Sequence, residues 1–494
     1  MGYVIGCDIG SQSAKAVLLD PDGKTVVTAT APYEMIHLHN GWADQDPAAY
    51  RKAIIYSIRQ VMAESGVAPS EVTHLGFSSQ VDGVVPIDAQ NCALRNAIIW
   101  LDRRGTEQVD RLDRAVGADR LFAVTGLNLD ASHTAPKIMW LADHEPEVYR
   151  SAASLPSVGG YAVAWLTGRS IQDHANSSST LLYDVARRDW SDELLDAAGI
   201  DRRLMPEIGA AHDVAGELLP EVAAELGLTT NCLVVVSTGD DHAACLGAGG
   251  VSAGVVVDIL GTAEPVGVAS DTPVFDETKL VETHAHAVDG KFLIENPGFV
   301  SGGNTLWLAK NILGVSQAEL FALAATSEPG SHGVRFIPAL SGAMAPRWND
   351  RMRGSFTGLG MNHNSSDLAR SVIEANVFAF RDIFNRLKTL GLADSLRVVG
   401  GGSRSQLWLQ AKATLCDIEI SRVTSNETSA VGAGMLAGVA AGTFVDFDDA
   451  VKRCVQLDPV TISPIEADRE CLNEAYEDYR SVYEALEPHY DKKK

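Results

Sequence analysis

Short apolar runs separated by polar turns open the chain and predict three strands in succession. Residues 4–9 and 14–19 are two such runs, and residues 10–13 form a tight polar turn between them. A second turn at residues 20–23 is rich in Asp, Pro and Gly, and residues 25–31 predict the third strand. This order predicts an antiparallel meander at the start of the fold.

After the meander, apolar residues recur at the spacing of a helix. Asp46 is a predicted N-cap and Pro47 a first-turn residue, and the helix should end near Gly66. Its apolar face has the positions Tyr50, Ile54, Ile58 and Val61. Residues 73–78 predict a fourth strand, so that the meander leads into an α/β layer.

The second half of the chain opens in a similar way. Residues 255–260 predict a strand, residues 261–264 a turn, and residues 265–269 the returning strand. The turn centres at 8–11 and 260–262 therefore correspond, which predicts one fold used twice. Two unrelated hairpins are the alternative.

A chain of 494 residues is too long for one ordinary core, which agrees with a duplication. We expect an α/β protein of two domains, residues 1–248 and 249–494, with a cleft between them. In the second domain, residues 367–390 predict a long amphipathic helix and residues 396–399 a strand. The helix at 429–442 is so rich in Ala and Gly that another element should pack very close to it.

The net charge of −24, from 40 basic and 64 acidic residues, argues against a nucleic acid or an anionic membrane as partner. The seven cysteines are scattered and lack Cys-x-x-Cys spacing, which favours reduced thiols in the cytoplasm over a zinc site. We see no secretory leader and no apolar run of membrane-spanning length. An anionic ligand would need local donors, a lysine or a metal ion.

Two adjacent carboxylates lie where a predicted strand ends and a helix begins. The apolar run 234–236 leads through Gly239 to Asp240 and Asp241, and a small-residue segment follows. Ligands bind at this edge of open α/β sheets. The alternative interpretation is that these acids cap the helix.

Three glycine-containing turns follow strands, at residues 8–13, 261–262 and 400–405. Glycine lets backbone N–H groups approach phosphate, although none of these turns matches the Walker pattern or Gly-x-Gly-x-x-Gly. Two such hairpins facing each other could hold a polyphosphate. Asp8 would hold Mg²⁺ through water or cap its turn, and Lys15 would reach phosphate or solvate a strand edge.

These turns resemble the two phosphate motifs and the adenosine motif of the FGGY carbohydrate kinases. The segments 132–144 and 354–374 resemble the two signatures of that family. The likeness runs from about residue 4 to residue 442. It implies the actin-like, ribonuclease H-like fold with a duplicated βββαβα order, and a cytoplasmic enzyme that uses ATP and Mg²⁺ to phosphorylate a sugar.

Within that family the chain looks most like xylulokinases, notably at residues 41–47, 134–146 and 184–191. The resemblance implies a ketopentose such as D-xylulose as substrate. Asp82, where xylulokinases carry histidine, and residues 100–104 look more like erythritol-type alditol kinases. An alditol or another ketose is therefore the alternative substrate, and a non-enzymatic actin-like ATP-binding protein is a remote one.

The resemblance also implies site residues. Asp240 matches the catalytic base, and a one-residue shift would place the base on Asp241. The implied sugar contacts are Gln80, Val81, Asp82, Trp100, Asp102, Asp240 and Asp241, with Trp100 alternatively a core residue. The implied ATP contacts are Gly10, Ser11, Gln12, Ser13, Lys15, Gly261, Thr262, Gly401, Gly402, Ser403 and Gln406. Asp8 and Asp240 would serve Mg²⁺, and a homodimer is common in the family.

Overall fold

A computed structural model describes residues 2–340, 342, 349, 351–425 and 427–491 of the chain. Two mixed sheets, each covered by helices, organise these residues. In the described part of the chain, no helix is both long and apolar enough to cross a lipid bilayer.

The first sheet has seven strands in the order β5-β6-β4-β1-β2-β3, with β7 beside β4. Their bounds are Tyr3–Ile9 (β1), Ser13–Leu19 (β2), Thr25–Pro32 (β3), Val72–Ser79 (β4), Val214–Glu217 (β5), Leu233–Val235 (β6) and Thr238–Gly239 (β7). Strands β1, β2 and β3 form the predicted antiparallel meander, and β4 runs parallel to β1.

The second sheet has six strands in the order β10-β11-β9-β8-β12-β13. Their bounds are Val255–Ile259 (β8), Val266–Ser270 (β9), Glu282–Ala285 (β10), Phe292–Asn296 (β11), Ser395–Val399 (β12) and Ile420–Arg422 (β13). Strands β8, β9 and β11 form an antiparallel meander, and β12 is parallel to β8. The order therefore repeats that of the first sheet apart from β5 and β7 in the first sheet and β10 in the second, and the predicted duplication is confirmed.

Seven helices carry or support the site: Pro47–Ser65 (α1), Thr134–His144 (α2), Asp240–Gly247 (α3), Ser365–Thr389 (α4), Gln406–Cys416 (α5), Thr428–Ala440 (α6) and Glu466–Asp491 (α7). Helix α1 begins as expected, since the Asp46 carboxylate accepts a hydrogen bond from Ala48 N, and it ends at Gly66 with a φ of 66°. Helix α4 forms where its spacing predicted, and its central residues 369–380 are buried on all sides rather than on one face.

The remaining elements are shorter. Paired short strands lie at Asp44–Gln45 with Ala97–Ile98, Ile171–Asp173 with Glu207–Gly209, Tyr183–Asp184 with Asp189–Trp190, and Arg335–Ile337 with Ser355–Thr357. Further α-helices are Thr106–Val116, Ala118–Thr125, Pro146–Ser151, Val158–Thr167, His174–Ser178, Asp192–Ala198, Pro220–Leu226, Gly302–Trp307, Gln317–Ala324 and Phe447–Cys454. A π-helical turn spans Leu308–Leu313, and 3₁₀ turns span Pro69–Glu71, Arg202–Leu204, Ser331–Gly333 and Gly401–Arg404.

Helix α6 packs backbone against backbone, as its small residues predicted. A methyl group on Gly6 of β1 would lie 1.9 Å from the Ala430 carbonyl oxygen, and one on Gly432 would lie 2.0 Å from the Ala243 carbonyl oxygen of α3. Only glycine permits such close approach. Helix α6 therefore joins the core of the first sheet although it belongs to the second half of the sequence.

Candidate active site

The carboxyl ends of three parallel strands meet at one edge of the first sheet. In the β1–β4 pair Asp8 lies opposite Ser78, and in the β7–β4 pair Gly239 lies opposite Ser79. Asp240 is the first residue of α3 and follows Gly239 directly. The fold thus brings Asp8 and Asp240, which are far apart in sequence, to the same edge.

Asp8 is a nearly buried carboxylate with an incomplete set of partners. The Ser78 hydroxyl donates a hydrogen bond of 2.8 Å to Asp8 Oδ1. Burial raises the pKa of Asp8 to about 6, which the Ser78 hydrogen bond and the charge of Lys15 only partly oppose. A cation placed beside Asp8 would remove this penalty.

Asp240 and Asp241 are neighbours in opposite environments. Burial, with the charges of Asp241 and Asp8, raises the pKa of Asp240 well above its ordinary value. Burial acts on Asp241 too, but His242 Nδ1 lies 2.6 Å from Asp241 Oδ1, and the imidazole lowers the pKa of Asp241 to about 2. Asp240 is therefore the carboxylate of the pair that readily takes up a proton.

The first hairpin turn is held by the side chains of two glutamines. Gln45 Nε2 donates to the Ser11 carbonyl at 2.6 Å, and Gln80 Nε2 donates to Gln45 Oε1 at 2.7 Å. Gly10 N bonds to the Ser13 carbonyl at 3.1 Å, which closes the turn. Gln12 is exposed, and its carbonyl accepts a hydrogen bond of 3.0 Å from Tyr33 N. Gln80 is itself buried, so it positions the turn from below.

Asp82 has a left-handed backbone, with a φ of 60°, that aspartate tolerates better than most residues. The Lys137 ammonium donates to the Asp82 carbonyl at 2.7 Å, and His133 Nδ1 lies 3.2 Å from Asp82 Oδ1. Burial alone would lower the pKa of His133, but Asp82 raises it to about 9. Residues of the signature at 132–144 therefore hold Asp82, and Val81 lies beside Gly239.

Trp100 and Asp102 differ in exposure, since Trp100 is half-buried and Asp102 is fully buried. Trp100 Nε1 donates to the Ser11 hydroxyl at 2.8 Å, which ties this loop to the first hairpin. Asp102 is fully buried: its Oδ2 accepts from Ala43 N at 2.6 Å, and both of its oxygens lie 2.9 Å from Arg104 Nε. This geometry corrects the expectation that Asp102 contacts the sugar, because both oxygens of its carboxylate already accept hydrogen bonds inside the protein.

Lys15 forms an ion pair across the two halves of the chain. Its ammonium lies 2.9 Å from Glu427 Oε2, at the start of α6. Neither side chain is fully buried, so a phosphate oxygen has room to replace the Glu427 carboxylate as the partner of Lys15. No sequence pattern indicated Glu427, because the contact depends on how α6 packs on the first sheet.

The second hairpin turn and the Gly400 turn are adjacent. Leu260 N donates to the Val399 carbonyl at 2.9 Å, and Gly402 N donates to the Leu260 carbonyl at 3.0 Å. Gly400 has a φ of 89°, and a methyl group there would lie 2.6 Å from the Leu260 carbonyl oxygen. The predicted residues that are exposed here are Gly261, Thr262, Gly401 and Gln406, whereas Gly402 is half-buried and Ser403 is buried.

Two supports of the second hairpin escaped the sequence analysis. Gly302 N donates to the Gly261 carbonyl and Gly303 N to the Thr262 carbonyl, each at 3.1 Å. Beneath the turn, the fully buried Lys412 ammonium contacts both Asp258 and Glu264, whose carboxylates would otherwise be unpaired. The sequence could not reveal the role of Lys412, because its partners lie about 150 residues earlier.

The arrangement fits a divalent cation beside Asp8 and Asp240. Asp8 and Asp240 repel each other, and both have raised pKa values, so a cation would be attracted to them. The two turns present exposed backbone and hydroxyl groups of the kind that bind phosphate. Together with one proton-accepting carboxylate, these are the parts that phosphoryl transfer needs.

Comparison with known proteins agrees with this geometry. The profile described as FGGY family of carbohydrate kinases, N-terminal domain, matches residues 3–247, and the corresponding C-terminal domain matches residues 256–441. The chain belongs to the FGGY family of carbohydrate kinases. As an FGGY kinase it is an ATP-dependent phosphotransferase, and the predicted family, fold class and reaction type are confirmed.

Several relatives of this FGGY kinase act on small polyols. A xylulose kinase from Escherichia coli K12 is 31% identical over 440 residues, covering 88% of this chain and 90% of the relative. A glycerol kinase from Thermococcus gammatolerans is 29% identical over 445 residues, covering 89% of each. The crystal structure of a "xyloylose kinase" from Brucella ovis superimposes with a TM-score of 0.90 at 31% identity, covering 98% of this chain and 99% of that one.

Proposed function

We propose that this FGGY kinase phosphorylates a ketopentose such as D-xylulose at the expense of ATP. The observation that carries the proposal is the 31% identity to a xylulose kinase over 88% of the chain. The carboxylates Asp8 and Asp240 at the edge of the first sheet support it, since Asp8 lies at the end of the strand that leads into the first hairpin turn. We further propose that residues 1–248 and 249–494 are the two domains on either side of the cleft.

Asp240 is the proposed general base. Its raised pKa suits a group that accepts the proton of a sugar hydroxyl as that hydroxyl attacks the terminal phosphorus. Asp241 has a low pKa and stays ionised, so its proposed role is to accept hydrogen bonds from sugar hydroxyls. Gln80, Val81, Asp82 and Trp100 complete the proposed sugar side, with Gln80 acting from beneath.

The two hairpins are the proposed phosphate sites. On the first side the groups are Gly10, Ser11, Gln12, Ser13 and Lys15, and on the second side they are Gly261 and Thr262. Gly401, Gly402, Ser403 and Gln406 form the proposed adenosine side. Asp8 and Asp240 would hold Mg²⁺ through its water ligands, and the ion would neutralise charge on the phosphates.

A kinase for alditols is the second candidate. It is favoured by Asp82, which offers an acceptor to sugar hydroxyls where a histidine could donate, and by the glycerol kinase among the relatives. A coupled assay of ADP release across ketopentoses, ketohexoses and alditols from tetritols to hexitols tests both candidates. The highest kcat/KM for D-xylulose supports the first, and the highest value for an alditol replaces it.

Asp82→His tests the residue that separates these candidates. We expect the ratio of kcat/KM for D-xylulose to that for erythritol to change by about two- to tenfold, since one hydrogen bond to a hydroxyl contributes about 0.5–1.5 kcal/mol. Asp82→Asn is the matched control for lost charge, because it keeps the size of the side chain. An unchanged ratio in both variants would exclude Asp82 from substrate selection.

A further inference from the structure

Two histidines and two glutamates form a sealed cluster below Asp241. The cluster consists of His242 on α3, Glu282 and His284 on β10, and Glu295 on β11. None of the four side chains is more than 4% exposed. Glu282 and Glu295 lie directly opposite each other on paired strands. Two buried carboxylates in this register repel each other unless positive charge lies between them.

The nitrogen atoms of the cluster are arranged as ligands. His242 Nδ1 is engaged by Asp241 at 2.6 Å, and His284 Nδ1 lies 3.4 Å from the Ser179 hydroxyl. Within the described chain, Nε2 of His242 is buried without a hydrogen-bond partner. Nε2 of His284 is also buried, and it points at the Glu282 and Glu295 carboxylates without a well-aligned hydrogen bond to either. An imidazole whose Nδ1 bonds to an outer oxygen and whose Nε2 points at such a cluster has the geometry of a metal ligand.

The donor atoms also converge. One donor atom from each of His242, His284 and Glu295 lies within 4.8 Å of the others. His284 Nε2 is 3.3 Å from Glu295 Oε1 and 3.7 Å from Glu282 Oε2. An ion about 2.0–2.2 Å from each donor would need separations of about 3.3–3.5 Å, which small side-chain rotations supply.

We propose that His242, His284 and Glu295 bind a zinc-type divalent cation, with Glu282 as a fourth donor. Two imidazoles and carboxylate oxygens suit Zn²⁺, whereas Mg²⁺ takes oxygen ligands alone. The ion's charge of +2 would balance both carboxylates. Cysteines play no part, so the scattered cysteine spacing does not bear on this site.

The ion would join the two halves of the chain beneath the sugar site. His242 belongs to the first half and adjoins Asp241, while His284 and Glu295 belong to the second sheet. With Nε2 on the ion, His242 Nδ1–H donates to Asp241 and fixes that carboxylate beside Asp240.

The test is a metal-binding titration of the full chain without nucleotide and with millimolar Mg²⁺ present throughout. Protein stripped with a chelator is titrated with Zn²⁺ against a chromophoric chelator, and with Co²⁺ for its visible absorption. We expect one Zn²⁺ per chain and a Co²⁺ spectrum of a four- or five-coordinate site. Failure of the unmodified chain to bind zinc saturably at one per chain would overturn the proposal without any variant.

His284→Gln and Glu295→Gln remove one proposed ligand each. We expect zinc affinity to fall by more than the roughly 10–100-fold that loss of an outer-shell partner causes. His286→Gln is the matched control: it is a buried histidine two residues further on, whose Nε2 lies 3.1 Å from the Gly250 carbonyl oxygen and outside the cluster. Circular dichroism checks folding of each variant. Wild-type zinc affinity in both ligand variants, or an equal loss in His286→Gln, would contradict the assignment.

Discussion

The first strand of each half ends in the same dipeptide, Asp8-Ile9 in β1 and Asp258-Ile259 in β8, yet the two aspartates have opposite surroundings. Asp8 has one hydroxyl partner and lies at the edge that holds Asp240. Asp258 is sealed beneath its hairpin against the Lys412 ammonium. A duplicated strand thus presents charge to the cleft in one half and supports a turn from below in the other.

Equivalent strands of the two sheets therefore have different roles. Under the proposed function, the first half provides negative charge where a cation and a sugar hydroxyl would meet. The second half would provide a turn of fixed shape for phosphate, and the buried triad of Lys412, Asp258 and Glu264 supports that turn from below. We therefore expect changes in the first half to affect turnover and changes in the second to affect stability.

Asp240→Asn should have the largest effect on the catalytic side of the comparison. We expect turnover to fall by about 10²–10⁴-fold, because a general base contributes a factor of this size. The affinity for ATP and the free energy of unfolding should change little. Steady-state assays and urea unfolding measure these quantities, and Asp241→Asn is the matched control. Turnover near the wild-type value in Asp240→Asn would assign the base to another group.

Lys412→Met should have the largest effect on the structural side. Loss of the ammonium leaves Asp258 and Glu264 buried without their cation, and we expect a loss of about 3–5 kcal/mol in the free energy of unfolding. Urea unfolding measures it. Lys310→Met, at an exposed lysine, should change stability by no more than about 0.5 kcal/mol. If the two variants were equally stable, the triad would have no supporting role.

Asp8→Asn and Asp258→Asn test the equivalent positions directly. We expect Asp8→Asn to raise the Mg²⁺ concentration for half-maximal activity by about tenfold, equivalent to about 1.4 kcal/mol of binding. Asp258→Asn should instead lower the free energy of unfolding by about 1–3 kcal/mol, since Lys412 loses a charged partner. Metal titrations of activity and urea unfolding of both variants give the comparison. Identical behaviour of the pair would remove the distinction between the halves.

A further expected effect is a pH dependence from the triad. Burial raises the pKa of Glu264 to about 8, although Lys412 opposes it. An acid with a pKa raised in the folded state stabilises fully below its ordinary pKa near 4.5, and this contribution is lost as the pH rises through about 8. Glu264→Gln should make the urea concentration at the unfolding midpoint depend less on pH between these two values. An unaltered pH profile would show that Glu264 holds no extra proton.

Periodicity and turn chemistry were enough to predict the first meander, the hairpin of β8 and β9 that begins the second, and the helices α1 and α4, but not strand β11. Those features depend on neighbours within about 20 residues, so the sequence shows them directly. The added edge strand β10 and the Lys15–Glu427 pair were missed because they depend on long-range packing. Asp102 shows the limit most clearly: a motif suggested a sugar contact, but only the fold shows that Arg104 and Ala43 occupy its carboxylate.

The close contact of α6 with β1 affects how the protein is made. A nascent chain that has emerged only as far as residue 248 lacks the helix that covers one face of its first sheet. Because that face receives the main chain of α6 at its glycines, with apolar side chains packed around them, little else in the chain could take the place of α6. We therefore expect the core of the first sheet to be completed only after residues near 440 have left the ribosome.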